Sequence, residues 1–249
     1  MKRIRFVILS LGLVMAIFAG ACVGDDSTST SAATAASASG PSTTKYLTLS
    51  NTSPHVTVID AETNLVVDTA DIPDFLKWTW NDDNNYFDGQ NVWLGLKYPE
   101  KDDAVVIAVD VDTLEVTSRL SVGKEAKNIY IGKATKNGTL VVGKQASLEV
   151  VTIDTKNGTL LETWTGMPSG KEGGVVCDAD VGIGPDGVER FYYPTLAGDS
   201  VVSINVDTGE TIAETLTPDG AKPVMHTNAP DGNMWVQEIG SNTNAIFDA

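Results

Sequence analysis

The sequence is poor in cysteine and histidine, with two of each in 249 residues. So few ligating side chains leave almost no material for a Cys/His metal site. Basic residues are scarce as well: 17 Lys and Arg stand against 33 Asp and Glu, a formal net charge of −16. Phosphate binding needs a basic surface, so a general nucleic-acid binder is excluded. The same charge keeps the chain soluble and repels anionic lipid headgroups. Catalytic signatures are missing too. There is no Gly-x-Ser-x-Gly, no His-Glu-x-x-His and no P-loop. What is present is a hydrophobic fraction of 42%, enough for a sizeable core in one ordinary domain or two small ones.

Residues 1–21 read as an export signal. Lys2, Arg3 and Arg5 give a positive start, and Phe6–Phe18 is an apolar run interrupted only by Ser10 and Gly12. That run is short for a bilayer at about 1.5 Å per residue. Ala19-Gly20-Ala21-Cys22 follows. Small residues before a lone Cys at the end of such a run resemble the lipobox of bacterial lipoproteins. The resemblance implies that Cys22 is acylated on sulfur and becomes the new N-terminus, anchoring the chain to a membrane through lipid. Ala19 stands where Leu is more typical, so ordinary signal-peptidase cleavage stays open. Val23 is not the Asp that retains many lipoproteins at the inner membrane, which favours the outer membrane or cell surface. From Cys22 to Thr44 the chain is almost wholly Ser, Thr, Ala and Gly, too polar to offset its ordering entropy, and is expected to be a flexible tether. Residues 45–249 are then the folded domain.

That domain repeats itself. A β-branched run ending in an aliphatic-Asp step and a turn reads HVTVIDAETNLVV at 55–67, AVVIAVDVDTLEV at 104–116, LEVVTIDTKNGTLL at 148–161 and SVVSINVDTGETI at 200–212. A fifth copy, NAIFDA, begins at Asn244. The anchors are Asp60, Asp110, Asp154, Asn205 and Asp248, 43 to 51 residues apart. Four of them are preceded by a Gly turn, at Asp88-Gly89, Asn137-Gly138, Asp186-Gly187 and Asp231-Gly232, which supplies the positive φ of a tight hairpin. Helical 3.6-residue periodicity is absent. One unit is therefore strand, Gly turn, strand, loop, strand, Asp turn, strand. Four strands every ~45 residues spell an all-β fold, a β-propeller of four-stranded antiparallel blades.

Counting strands predicts three in the first copy, four in each of the next three, and three in the fifth. The first lacks its inner strand and the fifth its outer one. About four and a half blades are present, and we expect an incomplete ring, truncated at its C-terminus. A degenerate five-bladed ring is the alternative. Gly220–Asp248 carries the clearest copy, with Ala-Pro-Asp-Gly for its turn and Trp235-Val236 opening the next step. It resembles the YVTN-type propeller repeat, over residues 46–248, and through it the propellers of cytochrome-cd-type nitrite reductases and surface-layer proteins. Such a likeness specifies architecture and leaves function open.

Candidate site residues are few. His226 lies in PVMHTNA, the expected inner strand of the fifth copy, facing the central channel. The nitrite-reductase resemblance implies a haem over that channel with His ligation, yet Cys-x-x-Cys-His is absent. His226 is therefore expected to be a hydrogen-bonded structural residue. Asp178 and Asp180, two apart on a presumed strand, should face the same side. They could offer oxygens to calcium, as could Asn81-Asp82-Asp83-Asn84-Asn85, but neither run has EF-hand spacing and both are expected to be solvated acidic loops. Trp78 and Trp80 could form an aromatic platform at the channel mouth or pack between blades. Cys177 reads as a buried, inert thiol, and His55 as a surface loop residue. The functional expectation is an envelope lipoprotein whose propeller binds a protein, glycan or small-molecule ligand without catalysis. The alternative is a periplasmic oxidoreductase-like or tetrapyrrole-handling propeller. No cofactor is expected; a haem-type tetrapyrrole and calcium are the alternatives.

Overall fold

Nineteen strands and no helix make up the residues that the computed structural model describes, which are 44–49, 55–72, 79–98, 103–124, 128–229 and 233–248. The chain separates into two units, residues 1–40 and 41–249, and the first lies outside the described residues together with the proposed signal, Cys22 and Trp78. The strands fall into five antiparallel sheets in chain order. Blade 1 is β1 (Lys45–Leu49), β2 (His55–Asp60) and β3 (Val66–Asp71). Blade 2 is β4 (Thr79–Phe87), β5 (Asn91–Tyr98), β6 (Asp103–Asp110) and β7 (Val116–Lys124). Blade 3 is β8 (Ile129–Ala134), β9 (Thr139–Lys144), β10 (Glu149–Asp154) and β11 (Thr159–Trp164). Blade 4 is β12 (Val175–Val176), β13 (Asp180–Ile183), β14 (Glu189–Leu196), β15 (Ser200–Asn205) and β16 (Thr211–Leu216). Blade 5 is β17 (Pro223–Asn228), β18 (Asn233–Glu238) and β19 (Thr243–Asp248).

This is the strand order read from the repeat, with one refinement. The inner strand of blade 4 is split into β12 and β13, both paired to β14, because Asp178 between them adopts φ +85°. Among the described residues no strand pairing joins blade 1 to blade 5, so the propeller is not closed.

The middle strands explain why the blades stack. Side chains alternate across a strand, so one strand can supply two seams. In β6, Val105, Ile107 and Val109 pack with Val56 and Val58 of blade 1, while Ala104, Val106 and Ala108 pack with Ile129, Leu140 and Val142 of blade 3. In β9, Leu140 and Val142 face blade 2, and Val141 faces Phe191 and Val202 of blade 4. In β15, Val202 and Ile204 face blade 3, and Val201 meets Met234 and Val236 of blade 5. Continuous β-branched runs are what burial on both faces requires. Outer strands have no such duty: every residue of β16 is exposed.

Turns hold each blade in register. The side chain of Asp60 accepts the backbone N–H of Glu62 (3.1 Å) and Thr63 (2.8 Å), and Asp110 those of Asp112 (2.9 Å) and Thr113 (2.8 Å). Asp154 does the same for Lys156 and Asn157, and Asn205 for Asp207 and Thr208. The fourth residue after each anchor turns left-handed: Asn64 at φ 56°, Leu114 at 59°, Gly158 at 60° and Gly209 at 71°. Four anchors in one geometry bear out the repeat. The Gly turns add a second clasp, with Asp88 accepting the Asn91 N–H at 2.7 Å and the Trp93 indole N–H at 2.7 Å. Burial raises the Asp88 pKa, but the bonds from Trp93, Asn91 and Gln90 outweigh it and leave the group below its ordinary value.

Two local expectations need correction. His55 is not in a loop; it opens β2, exposed, with its Nδ1 against the Asp71 carboxylate across the β2–β3 pair. Asn81–Asn85 is not a loop either but belongs to β4, where the pairing with β5 slips between Trp80 and Asn85. The side chains of Trp80 and of residues 81–84 lie outside the described residues.

Candidate functional site

The inner strands β4, β8, β13 and β17 neighbour one another in that order, bringing side chains of three blades to one seam. Asp180 is its hub. Its Oδ2 is 3.1 Å from Lys133 Nζ of β8 and accepts a bond from Asn228 Nδ2 of β17 at 2.9 Å, while its Oδ1 accepts the Val181 N–H at 2.8 Å. One carboxylate therefore links blades 3, 4 and 5. Gly182 makes room for this: a Cβ there would come within 2.8 Å of the Asn228 side chain, so a larger residue would push blade 5 away.

Asp178 holds the next level. Its Oδ1 accepts the Ala179 N–H (2.8 Å) and its Oδ2 the His226 backbone N–H (2.9 Å). The His226 ring is wholly enclosed, with Nδ1 3.1 Å from the same Asp178 Oδ2 but not aligned for a hydrogen bond, while that oxygen accepts the His226 backbone amide. Nε2 has no partner among the described residues. His226 thus sits on the inner strand as expected, but as a charge-facing ring in a seam, not as a hydrogen-bonded core residue and not presented to open space. Asp178 and Asp180 do face the same neighbour, β17, although Asp178 stands at the strand break, and both are buried rather than solvated as expected, because each carboxylate is tied to protein donors across the seam. Both carboxylates are engaged by protein donors, and among the described residues no group of three or more His, Cys, Asp or Glu is placed to hold a metal ion.

Beside this seam, where the inner strands begin, lies an open cavity of about 410 Å³. One wall is polar: Asn128 and Tyr130 from blade 3, Cys177 and Asp178 from blade 4. The rest of the lining comes from blade 5: Val224, Met225, Gln237 and Ile239. Tyr130 is buried, and its hydroxyl accepts bonds from Gln145 Nε2 (3.1 Å) and Asn128 Nδ2 (3.4 Å). Cys177, half-buried, donates its backbone N–H to Pro194 and lines the cavity rather than a core. Sequence reading named Cys177, Asp178, Asp180 and His226 and missed Lys133, Asn228, Tyr130 and Asn128. The available signal was positional: all four stand on, or one residue before, an inner strand.

A further junction ties blade 4 to blade 5. The buried carboxylate of Asp199 accepts the N–H groups of Lys222 (2.9 Å) and Gly220 (2.8 Å) and pairs with Lys171 at 3.0 Å, which together pull its pKa down to about 2.

Among solved structures, the chain is similar to hydrazine synthase from Kuenenia stuttgartiensis, at 18% identity and TM-score 0.55 over 79% of this chain and 53% of that one. It is similar to the dihydro-heme d1 dehydrogenase NirN in complex with DHE, at 14% identity and TM-score 0.54 over 81% of this chain and 42% of that one. It is also similar to a calcium-binding protein, regucalcin, from Agrobacterium tumefaciens, at 17% identity and TM-score 0.50 over 78% and 64%. These likenesses show the β-propeller fold. The chain spans about half the length, or less, of the first two. No family model and no curated protein matches the sequence.

Proposed function

We propose that this chain is an exported lipoprotein, anchored through Cys22 and a 22–44 tether, that presents its propeller in the cell envelope and binds a ligand without chemical conversion. The observation that carries the binding reading is the cavity at the start of the inner strands. It combines an apolar wall from blade 5 with convergent polar groups from blades 3 and 4, the mixture that ligand pockets favour. The enclosed His226 ring favours this reading over a His-ligated tetrapyrrole, since an axial ligand must reach the bound group. A calcium cage needs six to eight oxygens, and among the described residues no three carboxylates gather at Asp178 and Asp180, which likewise favours this reading.

The anchor and the cavity are tested separately. Changing Cys22→Ser should release the chain from the membrane fraction and abolish labelling by a fatty-acid probe. Thermal-shift screening against small-molecule and glycan sets should give hits that vanish in a Met225→Arg variant, whose guanidinium fills the cavity. Hits that persist in that variant would place binding elsewhere.

A further inference from the structure

We infer that the cavity takes a small organic cation: a protonated amine carried on an apolar body. The inference rests on the ligand-binding reading above and adds the charge and orientation of the ligand. Among the described residues the lining carries one formal charge, the Asp178 carboxylate, and no lysine, arginine or histidine. Two backbone N–H groups fix that carboxylate in place on a residue at φ +85°, with the His226 Nδ1 3.1 Å from its Oδ2, so it is a fixed negative pole at the cavity wall. Tyr130 and Asn128 stand on the same wall, offering an aromatic ring and an amide to a positive headgroup. The blade 5 lining is different in kind. Met225 and Ile239 are 47% and 54% exposed, large apolar side chains open to solvent, and the buried Val224 lines the cavity with them. Methionine adapts its shape to whatever packs on it. A net charge of −16 adds a long-range field that draws cations in and turns anions away. The head of the ligand is therefore assigned to Asp178 and its body to the blade 5 wall.

Three probes that share one body and differ in charge test this on the full chain: phenylbutylamine, phenylbutanol and phenylbutyrate. Binding is followed by calorimetry, and occupancy by protection of Cys177 from maleimide labelling, mapped on the Cys177 peptide. The amine is expected to bind about tenfold tighter than the alcohol, the scale of one favourable charge contact, to lose that advantage in high salt, and to protect Cys177. Asp178→Asn should remove the preference for the amine. Because that change touches a bond to blade 5, Gln237→Lys, which adds a positive charge to the lining, serves as the second variant: it should weaken the amine about tenfold relative to the alcohol. If the alcohol or the butyrate protects Cys177 as well as the amine does, the cationic assignment is overturned while the cavity remains a binding site. If none of the three protects Cys177, the inference is overturned outright, and the thermal-shift screen decides separately whether the cavity binds anything else.

Discussion

Blades 2 to 4 and blades 1 and 5 are built from the same repeat yet live in different environments. In the central three, both faces of the middle strands are covered by a neighbour, and side chains such as Trp93, Phe191 and Tyr193 are fully buried. In blade 5, among the described residues, one face is covered. Met234 and Val236 pack on blade 4, while Trp235 and its cross-strand partner Ile246, on the other face, are 45% and 57% exposed. Blade 1 mirrors this, with Val56 and Val58 buried against blade 2 and Tyr46, paired across from Ile59, open on the far side. The difference teaches that a blade of this protein is not an independent stable unit. Its local turns set its shape, and its neighbours supply most of the burial that holds it, as in other repeat architectures.

The comparison breaks most visibly at a doubly covered position. Phe191→Ala removes a ring packed against Gly132, Gly143 and the blade 3 seam, and should cost about 3–5 kcal/mol in denaturant unfolding. A turn substitution should cost less. Asp60→Ala loses two bonds to backbone N–H groups at a buried anchor, about 1 kcal/mol by the same measurement. The Asp199 junction sharpens the comparison by pH. Its carboxyl titrates near 2 in the folded chain, against about 3.9 when unfolded. The folded pKa is the lower one, so its stabilisation is fully present above about pH 4 and is lost as pH falls towards 2. Asp199→Asn should therefore flatten the stability–pH curve between about pH 4 and 2 and leave its shape above that unchanged. The smallest effect belongs to the uncovered face: Trp235→Ala should change stability by about 0.5 kcal/mol or less, although it removes a larger side chain than Phe191→Ala does.

Much of this architecture was legible because it is local. The Asp-plus-turn anchors, the Gly turns and the double-sided middle strands are written within a few residues of one another, and the strand count followed from them. The site was legible only in part. His226, Asp178 and Asp180 could be assigned to inner strands, but their pairing runs between blades, 47 to 48 residues apart in sequence, where no local pattern points to a partner. Lys133 and Asn228 carry no motif at all; they matter because the stacking of inner strands brings them to one carboxylate. The split of the blade 4 inner strand was hidden for a similar reason, since a positive φ at an Asp is imposed by its surroundings and not announced by its neighbours.

Hydrogen exchange resolved by blade tests the central claim most directly. If stability comes from covering both faces of each blade, backbone amides of β5, β6, β9, β10, β14 and β15 should exchange only through global unfolding. Those of β1, β2, β18 and β19 should open earlier, through local release of the terminal blades. Equal protection across all five blades would contradict the account, because it would show that a blade with one bare face is as firmly held as a blade with none.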